Sequence, residues 1–269
     1  MLLSVEHVTV YRYDRPVRGV VQSHRLMPSK FDGQKVLDWS VTMTGGELGS
    51  AFRDGAGDWV QGWTVAGPVD EIEVRVSGRV LTTDLAGILR GHKELVPPEA
   101  YLRGTEATFA DAALTELAQI IVTADTPLSG CHDLTDAISD AIAYKPGSTR
   151  ARTTAAEALA QGEGVCQDHA QALISAARAA GIPARYVSGY LQSGQDGMDH
   201  EAAHAWGELY IAGIGWIGFD PANRCCPDDR YIRLGSGLDA QNAAPIRGIS
   251  RGSGSEILSV TVAVQTQEQ

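Results

Sequence analysis

Four cysteines in 269 residues are too few for a disulfide framework. Cys131, Cys166, Cys225 and Cys226 are therefore read as reduced thiols, free to do chemistry. Basic residues are also scarce. Twenty-two Lys and Arg stand against 33 Asp and Glu, a net charge of −11, and no Lys/Arg run could neutralise a phosphate backbone. This excludes nucleic acid as a partner. No apolar run reaches the roughly 18 residues of a membrane span, and the opening MLLSVEHVTVYRYDRPV has no basic leader. The expectation is a cytoplasmic protein with no membrane attachment.

The chain does have 43% hydrophobic residues, enough to fill one large or two modest domains. From Leu2 to about Thr83 the apolar residues alternate in short runs such as SVEHVTVYRY, KVLDWSVTM and DEIEVRVSGRV, broken by Gly, Pro and Asp. Period two predicts a β-sandwich over residues 1–90. Glycines and the Pro97-Pro98 pair between residues 85 and 104 mark a boundary, with a second domain over residues 100–269. Helical spacing follows at Asp111–Val122 and Leu134–Tyr144, the latter stopped by Lys145-Pro146-Gly147. The fold class is α+β.

The segment GEGVCQDHAQALISAARAAGIP predicts a helix from Val165 to Ala180, because Leu173, Ile174, Ala177 and Ala180 share a face and Gly181 with Pro183 ends it. Cys166 falls in the first turn, where the helix dipole and unpaired N–H groups favour a thiolate. Gly162 and Gly164 would let a substrate backbone approach the sulfur. Helix position alone leaves two readings, a nucleophile or a small buried apolar residue.

Downstream, DHEAAHAWGELY contains H-E-x-x-H, the zinc-binding pattern of metalloproteases. That pattern needs a helix to bring residues four apart onto one face. Here HAWGELYIAGIGWIGFDP alternates like two strands around a turn, and the glycines at 207, 213, 215 and 218 disfavour a helix. With the turn centred on Ala212, His204 and Asp220 lie opposite each other, within reach of a carboxylate–imidazole hydrogen bond. Cys166, His204 and Asp220 then supply nucleophile, base and orienter without metal or other cofactor.

These segments resemble the transglutaminase-like cysteine enzymes of bacteria. GVCQDHA, ALISAARAAGIPARYVSGY, HAWGELYI and GWIGFDPAN carry the likeness in the second domain. YRYDRPVRGVVQSHRLMPSKFDGQKVLDWSV resembles the family's N-terminal β-domain, and APIRGISRG with EILSVTVAV its closing segment. Two features depart from the pattern: RDGAGDW at residues 53–59, and the Cys225-Cys226 pair, both expected at the cleft rim. The resemblance implies a papain/transglutaminase-like core in which the Cys-bearing helix packs on an antiparallel sheet or barrel. It implies Cys166 as nucleophile, His204 as general base and acid, and Asp220 as orienter, acting on a peptide or protein amide through a thioester. The backbone N–H groups of Cys166 and Gln167 are the expected oxyanion donors. Trp206, His169 and Gly164 are candidates for the cleft, with His169 favoured for packing.

Hydrolysis of the peptidase or deamidase type is the leading expectation. Glutamine crosslinking by a transglutaminase, a zinc metalloprotease and a non-catalytic peptide-binding module are the alternatives. Family relatives encoded near peptide-ligase-like enzymes suggest a functional link to such partners.

Overall fold

Alternating apolar residues turn the first eighty or so positions into a bent antiparallel sheet. In the computed structural model, which describes residues 1–192 and 203–266, strands β1 (Leu2–His24) and β4 (Trp59–Thr82) pair along most of their length. Strand β2 (Gln34–Met43) adds to the later half of β4, and β3 (Gly46–Arg53) to its earlier half. The β1–β4 register breaks between Arg12 and Gly19, where Pro16 offers no amide donor. Facing it, Gly67 permits close backbone approach, since a Cβ there would lie 2.3 Å from the Val17 carbonyl oxygen. The bend folds the sheet back on itself. Tyr11, Ile72 and Val74 of one half meet Val20, Trp63 and Val65 of the other in a shared core. The sandwich is thus made from two halves of one six-stranded sheet.

The last two strands of that sheet come from the end of the chain. β11 (Ile246–Ser250) and β12 (Glu256–Thr266) pair with the later and earlier halves of β1. This corrects the assignment of residues 100–269 to one second domain: these strands satisfy the edge of β1 that β4 leaves open. The segment between the two units is a packed connector rather than a loose linker. Ile88 bridges to Ile217, and the Leu89 N–H donates to the Trp216 carbonyl at 3.0 Å.

The second unit begins with α1 (Ala112–Thr123), capped by the Asp111 side chain, which accepts from the Leu114 N–H at 2.9 Å. Helix α2 spans Pro127–Ala141, earlier than the predicted Leu134–Tyr144. Thr126 and Ser129 cap it reciprocally, and Pro127 suits the first turn. Gly130 is tolerated inside it because α1 packs so close that a Cβ would lie 2.7 Å from the Ile121 Cα. The helix stops early because β5 (Ala143–Tyr144) pairs in parallel with β6 (Glu163–Gly164). Between these two lies α3 (Ala155–Gln161), and after them α4 (Cys166–Ala179).

Helix α4 lies on an antiparallel sheet of order β10-β7-β8-β9, formed by β7 (Ala184–Leu191), β8 (Ala203–Ile211), β9 (Gly215–Phe219) and β10 (Tyr231–Gly237). Leu114, Leu134, Ile138, Leu173, Ile174 and Phe219 fill the core between helices and sheet, each contributing about 1.5–3 kcal/mol. Gly207 faces α4, where a Cβ would come within 2.9 Å of Leu173.

Its neighbours in β8 alternate to the other face, which packs on the first unit through buried charge. Arg233 donates to Asp58 at 2.7 Å and to Glu208 at 2.8 Å, and Arg185 donates to Glu208 at 2.7 Å and to Glu94. Arg185, Arg233, Glu208 and Asp58 are all buried. RDGAGDW therefore contributes Asp58 to the joint between units, which corrects its expected place on the cleft rim.

Candidate active site

The first turn of α4 is fixed by a carboxylate rather than by a capping side chain at its N-cap, which is Val165. Asp168, fully buried, accepts the Val165 N–H at 2.8 Å and the Thr149 hydroxyl at 2.6 Å. Gly164 exists for this carboxylate: a Cβ there would lie 2.8 Å from the Asp168 Cβ. Its place is thus beneath the helix start, buried against Asp168. The N–H groups of Asp168 and His169 both bond to the Val165 carbonyl, at 2.9 and 3.1 Å. Those of Cys166 and Gln167, one turn-start earlier, have no acceptor among the described residues. A partly buried thiol thus sits beside two free amide donors.

His204 lies on β8 and its ring joins two elements. Nε2 bonds Asp220 Oδ2 at 2.6 Å, and the Cys166 thiol lies near enough to the ring to act on its charge. Burial pushes His204 down, but the hydrogen bond and negative charge of Asp220, with Cys166 alongside, prevail and hold it well above the ordinary imidazole range. Burial likewise opposes the Asp220 anion. Here the His204 hydrogen bond and charge, with bonds from Asn223 and Tyr231, win and keep it below the usual carboxylate range. Cys166, His204 and Asp220 are thus brought together.

The hairpin register differs from the predicted one. Glu208 pairs with Gly218 and Ile211 with Gly215, so the turn is centred on Gly213 and not on Ala212. Extended by one residue, this ladder sets Trp206, rather than His204, opposite Asp220. A two-residue slip keeps both side chains on one face, because strands have period two, and the diagonal neighbours still meet. Asp220 lies just past β9 in an isolated bridge to Cys225.

Two partners of Asp220 escaped the sequence reading. Tyr231 donates its hydroxyl to Oδ2 at 2.8 Å, and Asn223 Nδ2 donates to the same oxygen at 2.7 Å. The N–H groups of Ala222 and Asn223 turn back to Oδ1 at 3.0 and 3.3 Å. Asn223, two residues after the Asp220-Pro221 pair, was visible as a turn residue. Tyr231 was not, since its approach depends on strand order. Trp206 is 2% exposed, stacks behind His204 at 6.3 Å and meets Tyr231 edge-on at 5.5 Å, so it backs the imidazole as core. His169 is buried, with Nδ1 on the Val165 carbonyl and Nε2 on the Ile142 carbonyl, and ties α4 to the end of α2. Cys225 lies 3.4 Å from the Tyr231 hydroxyl, and Cys226 packs near Gly87; neither is in a disulfide.

The second histidine of H-E-x-x-H is thus on a strand, while His200 and Glu201 lie outside the described residues. Among the described residues no group of three or more His, Cys, Asp or Glu side chains is placed to hold a metal ion. Nor, among them, is any helix long and apolar enough to cross a membrane.

Comparison with known proteins agrees with this architecture. Residues 115–221 match the transglutaminase-like superfamily, and residues 3–81 match the bacterial transglutaminase-like N-terminal region. Residues 115–221 thus form a transglutaminase-like core, joined to a bacterial transglutaminase-like N-terminal region. An uncharacterized protein of Mycobacterium leprae is 28% identical over 97% of this chain and 98% of its own length. A protein-glutamine gamma-glutamyltransferase of Pseudomonas aeruginosa is 37% identical, over 28% of this chain and only 12% of its own. The crystal structure of a candidate cysteine protease from Cytophaga hutchinsonii shares the fold, with a TM-score of 0.76 and 22% identity over 100% of this chain and 92% of that one.

Proposed function

We propose that the chain transfers acyl groups from amides through Cys166, with water as the usual acceptor. The observation that carries this reading is one imidazole bonded to a buried carboxylate with the Cys166 thiol beside it. Cys166 attacks the amide carbonyl as its proton passes to His204, whose cationic form Asp220 stabilises. The N–H groups of Cys166 and Gln167 hold the oxyanion. The imidazolium then protonates the departing amine, leaving a thioester on Cys166. In the second half His204 takes a proton from water, and the acid is released. Asn223 and Tyr231 fix the carboxylate that orients the ring.

The substrate is a peptide or protein amide. The thiol chemistry and free cysteines suit a reducing, cytoplasmic setting. Crosslinking to an amine uses the same thioester, and the short likeness to a gamma-glutamyltransferase keeps it as the competing outcome. The acceptor is decided by allowing the acyl-enzyme to turn over with a primary amine at increasing concentration. Free acid predominating at millimolar amine supports hydrolysis. Amide product predominating there would reassign the chain to transfer.

A further inference from the structure

The loop before α3 is held against the nucleophile's helix by three of that helix's side chains. Thr149 donates to buried Asp168 at 2.6 Å, Gln167 Nε2 donates to the Ala151 carbonyl at 3.3 Å, and Gln171 Nε2 to the Thr153 carbonyl at 3.2 Å. A turn closes it, with the Thr153 N–H on the Arg150 carbonyl at 2.9 Å. Arg150 and Arg152 flank Ala151, so both project from a segment bonded to the residue next to Cys166. Both are exposed, and neither has an ion-pair or hydrogen-bonding side-chain partner among the described residues. Lys145 and Arg224, by contrast, are engaged, with Glu163 at 2.9 Å and with Asp140.

We propose that Arg150 and Arg152 form a carboxylate-binding edge of the cleft, and that the amide substrate is an acidic peptide whose carboxylate lies beside the scissile bond. The proposal rests on the acyl-transfer reading of Cys166. A chain of net charge −11 repels acidic ligands as a whole. At physiological salt, however, charges are screened beyond about 8 Å, so nearby groups such as these two arginines count for more at the cleft than the distant net charge. Guanidinium forks match carboxylates in geometry as well as charge. Anchoring the loop through a fully buried carboxylate fixes the arginines' backbone, so less freedom is lost when a ligand binds.

The test uses two reagents of similar size and opposite character at Cys166, iodoacetate and iodoacetamide. Their rate ratio cancels changes in intrinsic thiol reactivity and reports the local field. In R150A/R152A the iodoacetate-to-iodoacetamide ratio should fall by about fivefold, R150K/R152K should largely restore it, and salt should lower it in the native chain. An unchanged ratio in the alanine variant would overturn the anion-binding edge. In a peptide library, Asp- and Glu-bearing members should acylate the native Cys166 ahead of their Asn and Gln isosteres, and the alanine variant should lose that preference. Equal acylation of both sets would overturn the acidic-peptide assignment. A fallen ratio with no acylation by any peptide would instead refute the acyl-transfer reading and leave the anion-binding edge standing.

Discussion

Three donors converge on one oxygen of Asp220, from His204, Asn223 and Tyr231. Hydrogen bonds to a charged group contribute about 1.5–3 kcal/mol each. Tyr231→Phe should therefore destabilise the fold by about that much and slow acylation roughly tenfold, while leaving Cys166 open to alkylation. Denaturant titration and single-turnover mass spectrometry would measure the two effects. Full acylation in the variant would remove Tyr231 from the support of the ring. The three thiols outside the site are suppressed by burial. Burial pushes Cys131 up to about 12 and Cys226 up to about 11, and raises Cys225. Limited iodoacetamide at neutral pH should mark Cys166 first, as peptide mapping would show. Equal labelling of all four would contradict an activated Cys166.

Among the elements, α4 and the β8–β9 hairpin make the site. Replacing Asp220 by Asn keeps the hairpin but removes the charge that holds the proton on His204. His204 would then deprotonate at lower pH, so the alkaline limb of acylation should move to lower pH, with a rate loss of about 10–10³. That is below the ~10⁴ of serine triads, since a thiol ionises more readily than a hydroxyl. An unmoved limb would show that Asp220 does not set the state of His204. Helix α4 and both hairpin strands were legible because their apolar periods are 3.6 and 2 and Gly181 and Pro183 end the helix cleanly. The turn itself was not, since several glycines offered turn positions and only packing selects among them. The two-residue error did not disturb the site, because it left every side chain on its face. The start of α2 was missed because its first turn is polar: Thr126, Pro127 and Ser129 carry a capping signal but no apolar stripe. Tyr231 depends on β10 lying beside β7, which no local pattern states.

For the molecule as a whole, the joint between the units is ionic and acid-sensitive. Burial opposes the Glu208 anion, but the charges of Arg233 and Arg185, with their hydrogen bonds, lower it from 4.5 to about 2. A carboxylate depressed in the folded state adds stability that is complete above its unfolded value and lost as pH falls through the folded one. Stability should therefore decline between about pH 4.5 and 2, and Glu208→Gln should flatten that decline while costing about 3–5 kcal/mol at neutral pH. Calorimetry across this range would check both, and an unchanged acid limb would take Glu208 out of the joint. This arrangement was the least legible part of the sequence. Asp58 and Arg233 are 175 residues apart, and the return of β11 and β12 to the first sheet is equally non-local.

The most direct test of Cys166 chemistry is to quench the enzyme in acid during turnover of a peptide library and locate the added mass. The expected result is an acyl group on Cys166 that hydroxylamine removes, formed by the native chain with or without chelator, with all turnover lost in Cys166→Ala. Turnover surviving in Cys166→Ala, or lost to chelator together with one bound zinc per chain, would contradict thiol catalysis and return the site to the metalloprotease reading.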